Sequence, residues 1–272
     1  RQDRHRAARG VAGPLGVAAD FAGRVNSFFY GEHPTRVSHY EPAELFSTVL
    51  PARTVYAGNY VFRPQALQYF IPFASLRLRM SGPTLGRIVR AEIGARFVSA
   101  NLPMLHKRTV ESGGQAEFRP GIETAAETID MSGEFERQFY GDVMLFTTEK
   151  LTAAPYNRRL ASADFSGTLD TTRAEMLGKY NARQQAILSR LDAMEALLDD
   201  SARWWHSPQH FAATARFKHF CANVRRNFGA ASSGHARIND AARWQQWRAD
   251  LVSAIARYPA ERAAWEKALC RD

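Results

Sequence analysis

The sequence has only two cysteines, Cys221 and Cys270, in 272 residues. That excludes a disulfide scaffold and a cysteine-based metal site, and it points to a reducing, cytoplasmic compartment. No apolar run approaches the roughly 20 residues needed to cross a bilayer. A soluble chain remains, or one peripheral to the inner face of a membrane. The opening RQDRHRAARG is basic, but no apolar core or cleavage site follows it, so it does not read as a signal peptide. An initiating methionine is also missing, and the start reads as a cut from something longer. Nor is there a block of like charge: arginines are spread along the chain, which argues against nucleic acid as the partner.

What is present is a net charge of +9 with pI near 9.9, an attraction for phosphate in some form. Sugar nucleotides, anionic lipid headgroups and lipid-linked acceptors all fit that charge. The 45% hydrophobic content is that of a globular chain, and the length allows two modest domains, read as 1–150 and 151–272.

The stretch 54–108 organises the first part. Thr54-Val55-Tyr56 reads as a strand, Gly58-Asn59 as a loop and Tyr60-Val61-Phe62 as a second strand. Arg63-Pro64 then opens a helix that Ile71-Pro72-Phe73 ends. Leu76-Arg77-Leu78-Arg79-Met80 alternates apolar and cationic residues, as a half-buried strand or an extended loop would. A further helix starts at Pro83-Thr84 with Leu85, Ile88, Val89 and Ile93 on one face, stopped by Gly94. Arg96-Phe97-Val98 gives a strand leading to Pro103 and to Leu105-His106-Lys107-Arg108. Arg77 and Arg79 before Gly82, with Arg87 and Arg90 after it, are candidates to gather a phosphate at that helix start.

This order of Gly-Asn loop, strand carrying Phe-Arg, helix, Gly-bearing turn, helix, strand and Pro-x-x-His-Lys-Arg resembles the acceptor-side half of GT-A glycosyltransferases of the family-2-like kind, over roughly residues 20 to 150. The resemblance implies an α/β GT-A-like portion over 1–150, incomplete because no nucleotide-binding half or DxD pair precedes residue 50. It implies a nucleotide-sugar donor and a glycan, lipid-linked or protein acceptor. A divalent metal, Mn²⁺ or Mg²⁺, is implied as well, with His106 at the metal or the donor diphosphate. Gly58 and Asn59 match the loop beside the sugar, and Lys107 and Arg108 stand next to the late histidine. One departure is plain: Gly82-Pro83-Thr84 stands where the family has Glu-Asp with the aspartate as base.

Upstream, residues 1–19 read as a mobile arm, and Glu32, His33 and Arg36 in a Pro-containing loop are candidate donor or acceptor contacts, with His39 close behind. Residues 42–50 read as a short helix. Residues 111–125, with Gly113-Gly114 and Pro120-Gly121, read as a flexible loop able to fold over a substrate. Ser132 then opens a helix whose core face is Phe135, Phe139, Val143 and Phe146, and Asp142 on it is the carboxylate considered first as a substitute base.

From 151 onward the reading is an all-helical accessory region. One long helix opens near Asp170-Thr171-Thr172 and carries Leu177, Tyr180, Ile187, Leu191, Met194 and Leu198. Another starts at Ser207-Pro208, turns Phe211, Phe217, Phe220, Cys221, Val224 and Phe228 inward, and stops at Gly229. A last one uses Trp244, Trp247, Leu251, Ile255 and Tyr258, with Pro259 starting a separate terminal helix. The long helix offers a surface for a homo-oligomer, and the basic aromatic stretches offer a peripheral membrane contact. Two functions stand side by side: a glycosyltransferase or a fragment of one, and a non-catalytic phosphate- or nucleotide-binding scaffold with a helical interaction module.

Overall fold

The computed structural model describes residues 4–5, 13–30, 36–37, 43–55, 60–69, 71–102, 121–125, 128–153 and 162–270. Its helices are α1 (Gly13–Arg24), α2 (Ser81–Ile93), α3 (Ser132–Leu151), α4 (Ser162–Asp199), α5 (Phe211–Phe228), α6 (Ser233–Asn239) and α7 (Ala241–Leu269). The strands are β1 (Arg4–His5), β2 (Arg36–Val37), β3 (Leu50–Pro51), β4 (Val98–Ser99), β5 (Glu123–Ala125) and β6 (Thr128–Asp130). They pair as three separate antiparallel ladders, β1 with β2, β3 with β4 and β5 with β6. The architecture is mostly helical, and no helix among the described residues is long and apolar enough to cross a membrane.

The α/β layer expected over 1–150 is therefore not formed by the described residues, and the physical reason lies in how 53–55 is satisfied. Val55 N donates to Gly82 O (3.3 Å) and the Arg53 carbonyl accepts from Arg87, so this backbone finds its partners on α2 instead of a neighbouring strand. A Cβ on Gly82 would stand 2.2 Å from Val55 O, and one on Gly86 2.5 Å from Arg53 O. Only glycine admits the crossing. Tyr60-Val61-Phe62 is exposed coil, Arg63-Pro64 opens only a 3₁₀ turn (Pro64–Gln68), and 42–50 holds a three-residue 3₁₀ turn (Phe46–Thr48) before β3. In the supposed arm, Gly13–Arg24 is helical, since Pro14 suits a first turn.

The chain divides into two compact units, both drawing on residues either side of 150: 1–41, 105–135 and 181–236 make the first, and 42–104, 136–180 and 237–272 the second. In the first unit Phe29, Ile129, Leu191, Leu198, Cys221 and Val224 form the core, with α1 lying along α5 through Phe21 and Phe217 (5.4 Å between rings). Two asparagines one turn apart on α5 clip on the β5–β6 hairpin: Asn223 Oδ1 accepts Ile129 N (3.0 Å), and Asn227 accepts Met131 N (2.7 Å) while donating to Ile129 O (2.8 Å). Backbone groups that a third strand would otherwise pair are met by side chains. Phe211, expected inward, is 56% exposed. Burial lifts the Cys221 thiol to about 11, so this cysteine acts as a small apolar core residue.

In the second unit Ile88, Phe139, Tyr140, Val143, Phe165, Leu169, Leu251 and Ile255 are buried. Tyr140 stacks on Trp247 (4.9 Å), and burial with the nearby Glu136 charge pushes its hydroxyl up to about 12. α4 begins at Ser162, eight residues ahead of the expected start, because Thr171 and Thr172 hydroxyls bond back to the Gly167 and Thr168 carbonyls (2.9 and 2.7 Å). They sit inside the helix instead of capping it. α7 runs through Pro259 unbroken, although an interior proline costs about 3 kcal/mol. It is fixed on both sides of the proline: Tyr258 packs on Phe73 (5.6 Å), and Arg262 grips Glu92.

Glu136 is only 4% exposed, yet Arg243 meets it with two bonds (2.7 and 2.6 Å), and Trp247 Nε1 donates a third (3.0 Å). Burial works against its charge, but the hydrogen bonds of Arg243 and Trp247 and the charges of Arg243 and Arg237 outweigh that and hold its carboxyl below the ordinary 4.5. A carboxyl with a depressed folded-state pKa stabilises the fold above its unfolded value and ceases to as pH falls through the folded one. Glu136→Gln should thus lower stability at pH 7, with the gap to wild type closing as pH falls below 4.5 and through the depressed folded-state value. Thermal unfolding across that range checks it; a gap independent of pH would mean the ionic pair contributes nothing.

Candidate functional site

Three of the sequence-predicted site residues, Arg77, Arg79 and Asp142, are described with their side chains, and all belong to the second unit. The alternation in 76–80 reports burial correctly, since Leu78 is buried between exposed Arg77 and Arg79. The backbone, however, is no strand. A 3₁₀ turn (Ala74–Leu76) is bracketed by Phe73 at φ 57° and Arg77 at φ 50°, and Met80 at φ 68° precedes α2. Three non-glycine residues in the left-handed region cost on the order of 1 kcal/mol each and persist only where the surroundings over-determine them.

The surroundings here do. Phe73 is 2% exposed against Tyr258. The Met80 carbonyl accepts both Thr84 N (2.9 Å) and Thr84 Oγ1 (2.8 Å), which fixes the start of α2 and gives Thr84 a structural place where the resemblance expects an acid. Arg137 Nε on α3 donates to Arg77 O (2.9 Å), and Arg79 N reaches Arg137 O at 3.4 Å. Gly141 allows the approach, since a Cβ there would lie 2.5 Å from Arg79 O.

Asp142 follows that contact point directly. It is half-buried, with Oδ1 accepting from Gln138 Nε2 (3.0 Å) one turn back and Oδ2 from the Tyr180 hydroxyl of α4 (2.6 Å). The second distance is that of a charge-assisted O–H···O⁻ bond, so Tyr180 and Gln138 together fix the plane of the carboxylate. The backbone of Arg77 and Arg79 thus docks on α3 at Arg137 and Gly141, the residue before Asp142, while Asp142 itself meets Gln138 and Tyr180. Gln138 was legible from its i, i+4 spacing to Asp142. Tyr180 was not, because its ring occupies a core position against Phe139 (5.0 Å) and only its hydroxyl reaches the site.

Arg87 does not join Arg77 and Arg79. It is 9% exposed, donates to the Arg53 carbonyl and pairs with Glu149 (3.2 Å), so its charge serves the fold. Arg90 stays on the exposed side of α2. Glu32, His33, His39, Gly58, Asn59, His106, Lys107 and Arg108 lie outside the described residues, and Arg36 is described only as backbone in β2. Among the described residues no three His, Cys, Asp or Glu side chains gather, and His106, the expected metal ligand, lies outside them. In the first unit an open cavity of about 450 Å³, lined by Glu123, Thr128, Asp130, Arg226 and Ser233 among others, contains none of the predicted residues.

No known protein family matches the chain, and neither characterised proteins nor solved structures give a match.

Gly141→Ala tests the docking of the arginine segment. The added methyl cannot coexist with Arg79 O, so the 77–80 backbone must shift, at about 1 to 3 kcal/mol. Urea unfolding should register that loss; a variant as stable as wild type would show that the segment does not sit on α3 in solution.

Proposed function

We propose that this chain is the acceptor-side portion of a glycosyltransferase that moves a sugar from a nucleotide-sugar donor to a hydroxyl acceptor. The observation that carries the reading is the segment 77–80, left-handed at Arg77 and Met80, whose Arg79 carbonyl is held against α3 at Gly141, one residue before Asp142. Strain retained by so many supports is a usual mark of a working surface. Two exposed arginines whose backbone docks on the helix that carries an oriented carboxylate suit a reaction that needs cations at a leaving diphosphate and a base at a hydroxyl.

In that reaction Asp142 takes the acceptor's proton as the hydroxyl oxygen attacks the anomeric carbon. The bond from that carbon to the diphosphate oxygen breaks, and the nucleoside diphosphate leaves with the electron pair and its negative charge beside Arg77 and Arg79. Tyr180 and Gln138 orient the carboxylate and hold its charge. The divalent ion of the resemblance belongs to His106, and no step above depends on it.

The scaffold reading is favoured by one specific observation. Both oxygens of Asp142 already accept hydrogen bonds from within the fold, and where the resemblance expects an acidic pair Gly82 is committed to the crossing of 53–55 and Thr84 to the Met80 carbonyl. Calorimetric titration of the intact protein with UDP and GDP, with and without Mn²⁺, and assay of UDP release from UDP-glucose with simple alcohol and sugar acceptors, separate the two. The transferase reading expects Arg77→Ala/Arg79→Ala to weaken nucleotide binding about tenfold or more. It expects Asp142→Asn to leave binding intact and lower turnover about 100-fold or more. Binding without release in wild type favours the scaffold, and absence of binding contradicts both.

A further inference from the structure

The second unit carries an exposed apolar ribbon. β3 and β4 pair through Leu50↔Ser99 and Pro51↔Val98, with no further strand on either side among the described residues. Around them Leu45, Phe46, Val49, Leu50, Val98 and Leu102 are all exposed, Phe46 by 79% and Leu50 by 63%. The ribbon is well built despite this: Asn101 N donates to Thr48 Oγ1 (3.0 Å), and Ser99 Oγ reaches Leu50 O (3.4 Å). Large apolar side chains gathered on an ordered surface mark a contact site.

The charge at its base says what the contact is. Ala52 N donates to Phe97 O (2.9 Å), which carries the ladder one pair further and puts Arg53 and Arg96 next along the two chains, both exposed. Like charges at neighbouring cross-strand positions repel, and an anion between them removes the penalty. The whole segment 42–104 holds seven arginines and two glutamates, a balance of 7 − 2 = +5. Both glutamates are engaged: Glu44 accepts Ser47 N (2.6 Å), and Glu92 is gripped by Arg262.

We propose that this ribbon is a docking surface for an anionic lipid membrane, with Phe46 and Leu50 entering the acyl boundary and Arg53 and Arg96 at the phosphates. The dimensions agree. From Leu50 to Arg53 is three residues of extended chain, roughly 10 Å, and amphipathic anchors bury about 5–10 Å below the headgroups. Two further features favour lipid over a second copy of the chain. Leu50 and Val98 belong to successive pairs of the ladder and so face opposite sides, which fluid lipid can surround once the ribbon enters it, whereas a folded partner covers one side only. A two-fold interface centred here would also set the Arg53 and Arg96 pair of one copy near that of the other. The inference stands independently of the transferase reading.

Co-sedimentation of the intact protein with phosphatidylcholine vesicles, and with vesicles in which about 30% of the lipid is phosphatidylglycerol, tests it. The protein should pellet with the anionic vesicles and stay in solution with the neutral ones. Arg53→Gln/Arg96→Gln should weaken the anionic binding roughly 30-fold. Phe46→Glu/Leu50→Glu should abolish it, with the circular dichroism of both variants unchanged because all four side chains are exposed. Equal binding to neutral vesicles, no binding to either, or variants that bind like wild type would overturn the proposal. So would a wild-type dimer in solution that Phe46→Glu/Leu50→Glu dissolves, since the ribbon would then belong to a second copy.

Discussion

The Glu92 side chain is 1% exposed, and both terminal nitrogens of Arg262 close on its carboxylate. A charge so placed is tolerable only while its partner stays. Arg262 in turn donates to Glu266 (3.2 Å) and lies over the Tyr69 ring (5.4 Å), so the guanidinium is held from several sides. Along the same helix Arg243 closes on buried Glu136, and Arg248 on Asp170 through two bonds (2.7 and 2.9 Å). α7 is therefore a row of arginines answering acidic groups on α2, α3 and α4. Its continuity through Pro259 follows, since a break there would set Arg262 and Tyr258 against different partners.

That fixed frame is what allows strain elsewhere in the second unit. The Phe73 to Met80 segment is anchored on Tyr258 of α7 at one end and on the start of α2 at the other, and α3 supplies Arg137 and Gly141 between them. A left-handed arginine held so firmly keeps its side chain's point of departure constant. Whatever that side chain meets, the backbone part of the ordering cost is already met by the fold, and only the rotamers of the side chain remain to be fixed.

The helices were legible where periodicity and caps agree. Ser132 opens α3 and Gly94 and Gly229 end α2 and α5 as the sequence pattern implies, whereas α2 starts at Ser81, ahead of Pro83, and Ser207-Pro208 opens a 3₁₀ turn before α5 begins at Phe211. What misleads is local chemistry that serves two purposes. Thr171 and Thr172 resemble a start signal, but their hydroxyls are satisfied one turn back inside α4. Pro259 resembles a stop, and tertiary contacts on either side override it. Thr54-Val55 has strand chemistry, yet its backbone is met by α2 through Gly82 and Gly86, a long-range pairing that no local pattern reports. In the candidate site, Asp142 and the arginine alternation were visible, whereas Tyr180 and Arg137 became meaningful only when α3, α4 and the 77–80 segment were seen together.

The buried Glu92–Arg262 pair is the point on which the second unit turns, and comparing two variants tests it most directly. Arg262→Met alone leaves the Glu92 carboxylate buried without its cation, while Glu92→Met/Arg262→Met removes both charges and keeps the volume. The account predicts that the single variant loses about 3–5 kcal/mol in urea unfolding and that the double variant recovers most of it. A single variant within about 0.5 kcal/mol of wild type, or a double variant as unstable as the single one, would contradict it.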